Sequence, residues 1–161
     1  EFERREAYRQ EIGLYAFGNN SSPFSVRLIC SHCGKHYRRC GWSHNGKKFW
    51  TCASKKSKGS SACQADNIME ESIFTAFRVA WNGMVANKDK LTEKWNEQIK
   101  SGTPLERLRA KQMKMLIEDG PIQMVVPEHV ILVLECMIAY DKMHFEVRFL
   151  DGTVKQICIG E

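Results

Sequence analysis

Between residues 12 and 65 this chain has no aspartate and no glutamate, although it carries nine lysines and arginines there. The first consequence concerns catalysis. A metal enzyme needs an acid or base beside an open coordination position, and this stretch offers no carboxylate for that work. Other absences point the same way. The sequence contains no glycine-rich phosphate loop ending in Lys-Ser/Thr, no G-x-S-x-G elbow and no H-E-x-x-H helix, so no familiar nucleotide, esterase or zinc-protease chemistry is indicated. Long apolar runs are missing too. The longest, Val130 to Tyr140, is broken by Glu135 and too short to span a bilayer, and the opening E-F-E-R-R is no secretory leader. We therefore expect a soluble, cytoplasmic protein with no membrane partner, no small-molecule substrate and no catalytic residue of its own.

What is present begins with cysteine. There are seven in 161 residues. An odd number in a chain of this length argues against a disulfide framework and for a reducing compartment. Cys30 and Cys33 form C-S-H-C-G, a spacing that turns two sulfurs toward one ion, with Gly34 free to adopt the left-handed backbone that closes a metal knuckle. Cys52 and Cys63 supply the second pair, separated by ten residues where most structural zinc sites use two to four. Four thiolates leave no open position for water, so the zinc read here, one ion held by Cys30, Cys33, Cys52 and Cys63, is structural. Cys40 is the main rival for a ligand position, ahead of His32 and His36, but it lies six residues beyond Gly34, before the chain has turned back. Cys136, Cys158, His129 and His144 read as packing or surface residues.

The charge is unevenly divided. Residues 1–11 hold three basic and four acidic side chains, residues 12–65 nine and none, residues 66–161 twelve and fifteen. Unopposed cations around a metal knuckle seek an anionic partner, and nucleic acid is the simplest one. The DNA-contact candidates are Arg27, Lys35, His36, Arg38, Arg39, Lys47, Lys48, Lys55, Lys56 and Lys58. Trp42, His44 and Asn45 join His36, Arg38 and Arg39 as residues that could reach base edges.

The fold class expected is α+β: a small zinc β-ribbon, an antiparallel helical hairpin of coiled-coil character, and a short C-terminal antiparallel β-meander. Residues 1–22 read as a linker from an upstream domain. Residues 23–66 are the ribbon, with a hairpin turn at Asn45-Gly46 of type I′, Tyr37 and Phe49 shielding the metal, and the segment between Cys52 and Cys63 as a basic loop lying against phosphates. Residues 67–120 hold the helical hairpin. Its first helix starts with Asn67 as N-cap and Glu70 as capping-box partner, and buries Met69, Ile73, Phe74, Phe77, Trp81, Met84 and Val85. After Asn87 a thin seam of Leu91, Trp95 and Ile99 takes over, answered by Leu105 and Leu108 on a helix opened by Thr103-Pro104-Leu105-Glu106. These five residues, Leu91, Trp95, Ile99, Leu105 and Leu108, are the candidate protein-interaction surface. Residues 121–161 complete the domain with a short helix at Glu128–Glu135 and strands near 136–140, 143–149 and 154–159, the last two joined at Asp151-Gly152 by a type I′ turn.

Three stretches carry a resemblance: P-F-S-V-R-L-I-C-S-H-C-G at 23–34, K-K-F-W-T-C at 47–52, and N-I-M-E-E-S-I at 67–73. They resemble the zinc β-ribbon of the large serine recombinases, the phage integrases and transposon resolvases, and H-F-E-V-R-F-L-D-G-T at 144–153 is similar to that family's closing hairpin. In that family a wide gap in the second cysteine pair is common. The resemblance implies a DNA-binding and synapsis module of a site-specific recombinase, recognising a double-stranded attachment site and contacting other protomers, without the catalytic serine domain. Two other classes compete. A protein-interaction scaffold would use the ribbon as a staple, and an RNA-binding ribbon would stack bases on Tyr37, Trp42, Phe49 and Trp50.

Overall fold

The computed structural model describes residues 22–42 and 46–160. The expected linker up to residue 21, and the turn residues Ser43, His44 and Asn45, lie outside the described residues. Ser22, given above to the linker, is buried. Its hydroxyl oxygen accepts a hydrogen bond from the Phe24 amide, starting the turn that leads into the ribbon.

The elements run β1 (Leu28–Cys30), β2 (Tyr37–Trp42), β3 (Lys48–Cys52), α1 (Ala53–Lys58), β4 (Ile68–Met69), α2 (Glu70–Ala86), α3 (Lys88–Ser101), α4 (Pro104–Ile117), α5 (Pro127–Val133), β5 (Leu134–Ala139), β6 (His144–Phe149) and β7 (Val154–Cys158). They form two sheets. β2, β3 and β4 make an antiparallel three-stranded ribbon, and β1, β5, β6 and β7 make a four-stranded sheet in that order. The α+β class holds.

The C-terminal strands are more than a meander. β1 pairs in parallel with β5, Leu28 opposite Met137 and Cys30 opposite Ala139, so the first metal knuckle grows directly out of the C-terminal sheet. Apolar alternation predicts each strand by itself. A parallel partner more than a hundred residues away is set by packing rather than by local pattern.

The helix expected from Asn67 begins later. Ile68 and Met69 continue the ribbon as β4, opposite Trp50 and Phe49, and Met69 occupies the N-cap position of α2 without any side-chain cap. Burying Ile68 on the ribbon outweighs the cap that Asn67 could have offered. The segment after Cys52 is likewise not a plain loop, because Ala53–Lys58 forms a short helix. α5 ends at Val133, and Leu134 and Glu135 belong to β5. At Asp151-Gly152 only the glycine has positive φ, +87°, and the Gly152 amide bonds to the Phe149 carbonyl at 3.0 Å. That is the three-residue loop with a glycine bulge rather than a type I′ turn.

One apolar core joins these parts. Ile73, Phe77, Trp81 and Met84 from α2 are fully buried with Phe24, Leu28, Val130, Val147 and Phe149, each large side chain contributing about 1.5–3 kcal/mol through burial. The helix breaks at Asn87, whose Nδ2 donates to the Gly83 carbonyl. α4 starts on the full capping box expected at Thr103 and Glu106, with Pro104 in the first turn. α3 and α4 pack against each other through Trp95, Ala110, Met113 and Ile117, and these belong to the same core as α2. Trp95 is therefore corrected from a surface contact to a core residue: it is wholly buried, and its Nε1–H donates to Asp151 Oδ2 at 2.8 Å in the β6–β7 loop. Leu91 and Ile99 are half-buried on the core, whereas Leu105 and Leu108 are exposed.

Candidate metal centre and nucleic-acid interface

Two backbone devices bring the cysteines together. At the first, the Gly34 amide bonds to the Cys30 carbonyl and the Cys30 amide to the Lys35 carbonyl, with Gly34 at φ +73°. A Cβ at Gly34 would meet nothing within 4 Å, so the glycine is required for its backbone angle and not for space. At the second, Cys52 ends β3 and stands at the N-cap position of α1. α1 and a turn at Gly59 use the ten intervening residues to carry the chain back, so that Cys63 closes the site.

The four sulfurs of Cys30, Cys33, Cys52 and Cys63 all lie within 4.8 Å of one another. Cys30 and Cys63 are 3.7 Å apart, Cys33 and Cys52 3.3 Å. Tetrahedral zinc with Zn–S bonds of about 2.3 Å sets sulfurs about 3.8 Å apart. The cluster fits a zinc ion as it stands, and all four expected ligands are brought together. Cys40 is excluded by its position, its Sγ lying against the Arg38 carbonyl. His32 and His36 are not members of the cluster.

The local electrostatics call for a cation. Burial pushes the Cys30 thiol up to about 12 and also raises Cys52, while the Ser54 hydroxyl, 3.5 Å from Cys33 Sγ, leads the effects that lower Cys33 to about 6. A buried thiolate next to other sulfurs is expensive without a metal, and zinc supplies the compensating charge. Tyr37 covers the site as expected. It is buried opposite Cys52 and its hydroxyl donates to the Asp66 carbonyl. Phe49 does not share that role, because it pairs with Cys40, on the other face of the ribbon from the Tyr37–Cys52 pair.

The ten basic candidates separate by what they already hold. Arg27 Nη1 donates to the Pro23 carbonyl and is half-buried, and Lys55 Nζ donates to the Ala65 carbonyl. Arg39 forms an ion pair with Glu70 at 2.8 Å, with both side chains largely covered, and Lys47 lies 3.8 Å from Glu71 in an exposed pair. Lys48 is half-buried. Lys35, Arg38, Lys56 and Lys58 are exposed and make no side-chain bond among the described residues, and the half-buried His36 side chain makes none there either. Of the residues proposed to stack RNA bases, Tyr37 and Trp50 are buried and cannot offer their faces.

Sequence reasoning missed two things here. One is the Arg39–Glu70 pair, which ties β2 to the first turn of α2; Asp66, Glu70 and Glu71 all follow the basic stretch, and no local pattern singles out Glu70. The other is a cavity along the free edge of β2, which no local pattern announces.

A closed four-thiolate ribbon with no open coordination position defines the class: a structural zinc module. Residues 23–81 match the recombinase zinc beta ribbon domain family model, a likeness to the zinc ribbon region of the serine recombinases that agrees with the resemblance at 23–34, 47–52 and 67–73. The match ends within α2, and α3, α4 and the C-terminal strands β5–β7 lie beyond it. No curated protein and no solved structure matches the chain. Among the described residues no helix is long and apolar enough to cross a membrane.

Proposed function

We propose that this chain is the DNA-binding and synapsis module of a site-specific serine recombinase, reading an attachment site through its zinc-ordered ribbon and contributing no catalytic group itself. The observation that carries this reading is the unneutralised cation set Lys35, Arg38, Lys56 and Lys58, spread over a stretch, residues 12–65, that has no aspartate or glutamate and is fixed by the metal site. Lysines and arginine grip phosphates and set register, while base reading falls to residues on the β2–β3 hairpin. Protomer contact is assigned to the outer face of α4, where Leu105, Leu108 and Met115 are exposed at coiled-coil spacing. The scaffold alternative loses Trp95, which is buried, from its Leu91, Trp95 and Ile99 surface, and the RNA alternative loses Tyr37 and Trp50.

A competition assay at fixed salt, with labelled duplex displaced by unlabelled duplex, single-stranded DNA or single-stranded RNA, tests the reading. Duplex should displace best, and the variant L105E/L108E should keep duplex affinity while losing the ability to join two duplexes. Preference for single strands would overturn it.

A further inference from the structure

The β5–β6 turn and the end of β7 bring together three side chains that the ribbon's metal centre does not use. Asp141 closes the turn, its Oδ1 accepting from the Met143 amide at 2.7 Å and from the His144 amide at 2.9 Å. The same carboxylate accepts from His144 Nδ1, at 2.8 Å to Oδ2 and 3.0 Å to Oδ1. The Met143 amide leads the contacts that hold Asp141 below its ordinary value and so keep it ionised. An ionised carboxylate can only accept, so the imidazole proton stays on Nδ1 and Nε2 carries the free lone pair. A carboxylate behind one ring nitrogen is the usual arrangement where the other nitrogen ligates a metal.

Across the hairpin stands Cys158, directly opposite His144 in the β6–β7 register. The Ile159 amide bonds to the Met143 carbonyl and the Phe149 amide to the Thr153 carbonyl, which makes 143/159 and 149/153 hydrogen-bonded pairs. His144 and Cys158 are then a non-hydrogen-bonded pair, with Cα atoms about 4.5 Å apart and side chains on one face. A Zn–N bond of about 2.0–2.1 Å and a Zn–S bond of about 2.3 Å can span such a pair. Both residues are exposed, and the Cys158 thiol is free. Val154 and Gln156, on the same face of β7, are exposed as well, and β7 is the edge strand of its sheet. The face is open to another molecule.

Two ligands leave a zinc ion unfinished. A closed zinc site takes four, and among the described residues only the four ribbon cysteines form a group of three or more. We propose that His144 and Cys158 form a second zinc site that two copies of this chain complete together, each copy supplying one imidazole and one thiolate. Each thiol gives its proton to solvent as its Zn–S bond forms. A second copy is the fitting source of the missing pair because a twofold axis presents the same two residues again, and the two thiolates together neutralise the ion. The inference is independent of the DNA reading.

Sedimentation of the chain with its ribbon zinc filled, under a phosphine reductant that prevents disulfides, tests it. Added zinc should convert monomer to dimer, with one further ion bound for every two chains. H144A and C158S change exposed side chains and leave the fold intact. Each should abolish both the zinc-induced dimer and the further ion while keeping the first. D141N should weaken the second binding event about tenfold, as loss of a carboxylate behind a ligating histidine does. C136S, which removes the other cysteine of the sheet, opposite Arg148, should change nothing. The L105E/L108E variant, which lacks the α4 contact, should respond to zinc as the parent chain does.

Zinc-induced dimers that survive both H144A and C158S would overturn the assignment. So would an L105E/L108E chain that stays monomeric in zinc, whether it takes up no further ion or one ion per chain.

Discussion

Trp95 and Asp151 lie 56 residues apart in sequence and meet at 2.8 Å, and the same carboxylate accepts from the Thr153 amide and hydroxyl. One acidic side chain therefore closes the β6–β7 loop and pins α3 to it. D151A leaves the buried indole N–H without an acceptor, at a cost of about 1–3 kcal/mol, while D151N retains a carbonyl oxygen and should cost less. Urea unfolding midpoints check this, and an unchanged midpoint in D151A would contradict it.

His129 is a second residue with a readable role. It is buried edge-on to Phe77 and Trp81, its ring centroid 4.3 Å from that of Trp81, and its Nε2 has no partner among the described residues. Burial holds it below its ordinary value of 6.5, with Asp119 pulling the other way. On acidification the unfolded chain takes the proton first. The stability from neutral His129 is then complete above about pH 6.5 and is lost as pH falls through the lowered folded value. H129F should lose less stability than the parent chain between pH 7.5 and 5.5, and equal losses would remove His129 from the account.

At the scale of elements, the zinc knuckle and the C-terminal sheet are one mechanical unit. Cys30 ends β1, the Met137 amide donates to the Arg27 carbonyl at 2.8 Å, and the Ser31 amide donates to the Ala139 carbonyl at 3.1 Å. The metal contributes on the order of 10–16 kcal/mol to ordering such a site. C63S should therefore lose zinc and also speed hydrogen exchange at the Met137 and Ser31 amides, although neither residue ligates the metal. Retained stoichiometric zinc in C63S would refute the ligand set, and slow exchange after zinc loss would refute the coupling.

What the sequence revealed follows from the range of the forces involved. The capping box at Thr103 and Glu106, the Cys30–Cys33 knuckle and the strands at 144–149 and 154–158 are specified by residues within a few positions of each other, and all were legible. Asn67 misled because its local cap lost to the packing of Ile68 under Trp50. The β1–β5 pairing, the Trp95 anchor and the Arg39–Glu70 pair depend on residues far apart in the chain, and only the fold brings them together. The metal site was readable despite the ten-residue gap because cysteine is scarce enough to count, whereas lysine is not. Which lysines are free and which are tied, Lys56 against Lys55, is decided by the Ala65 carbonyl, which the fold brings back from ten residues further along the chain.

For the whole molecule, the account joins a rigid metal-ordered ribbon, a helical hairpin fused to the same core, and cations concentrated at one end of the chain. If zinc orders the ribbon and the ribbon reads DNA, sequence preference must depend on the metal. Selection of random duplexes by the purified chain, at physiological salt, with and without a chelator that strips zinc, tests that claim most directly. The account predicts a shared motif among the selected duplexes that disappears with the chelator. Selected duplexes without a shared motif, retained equally in both arms, would contradict it.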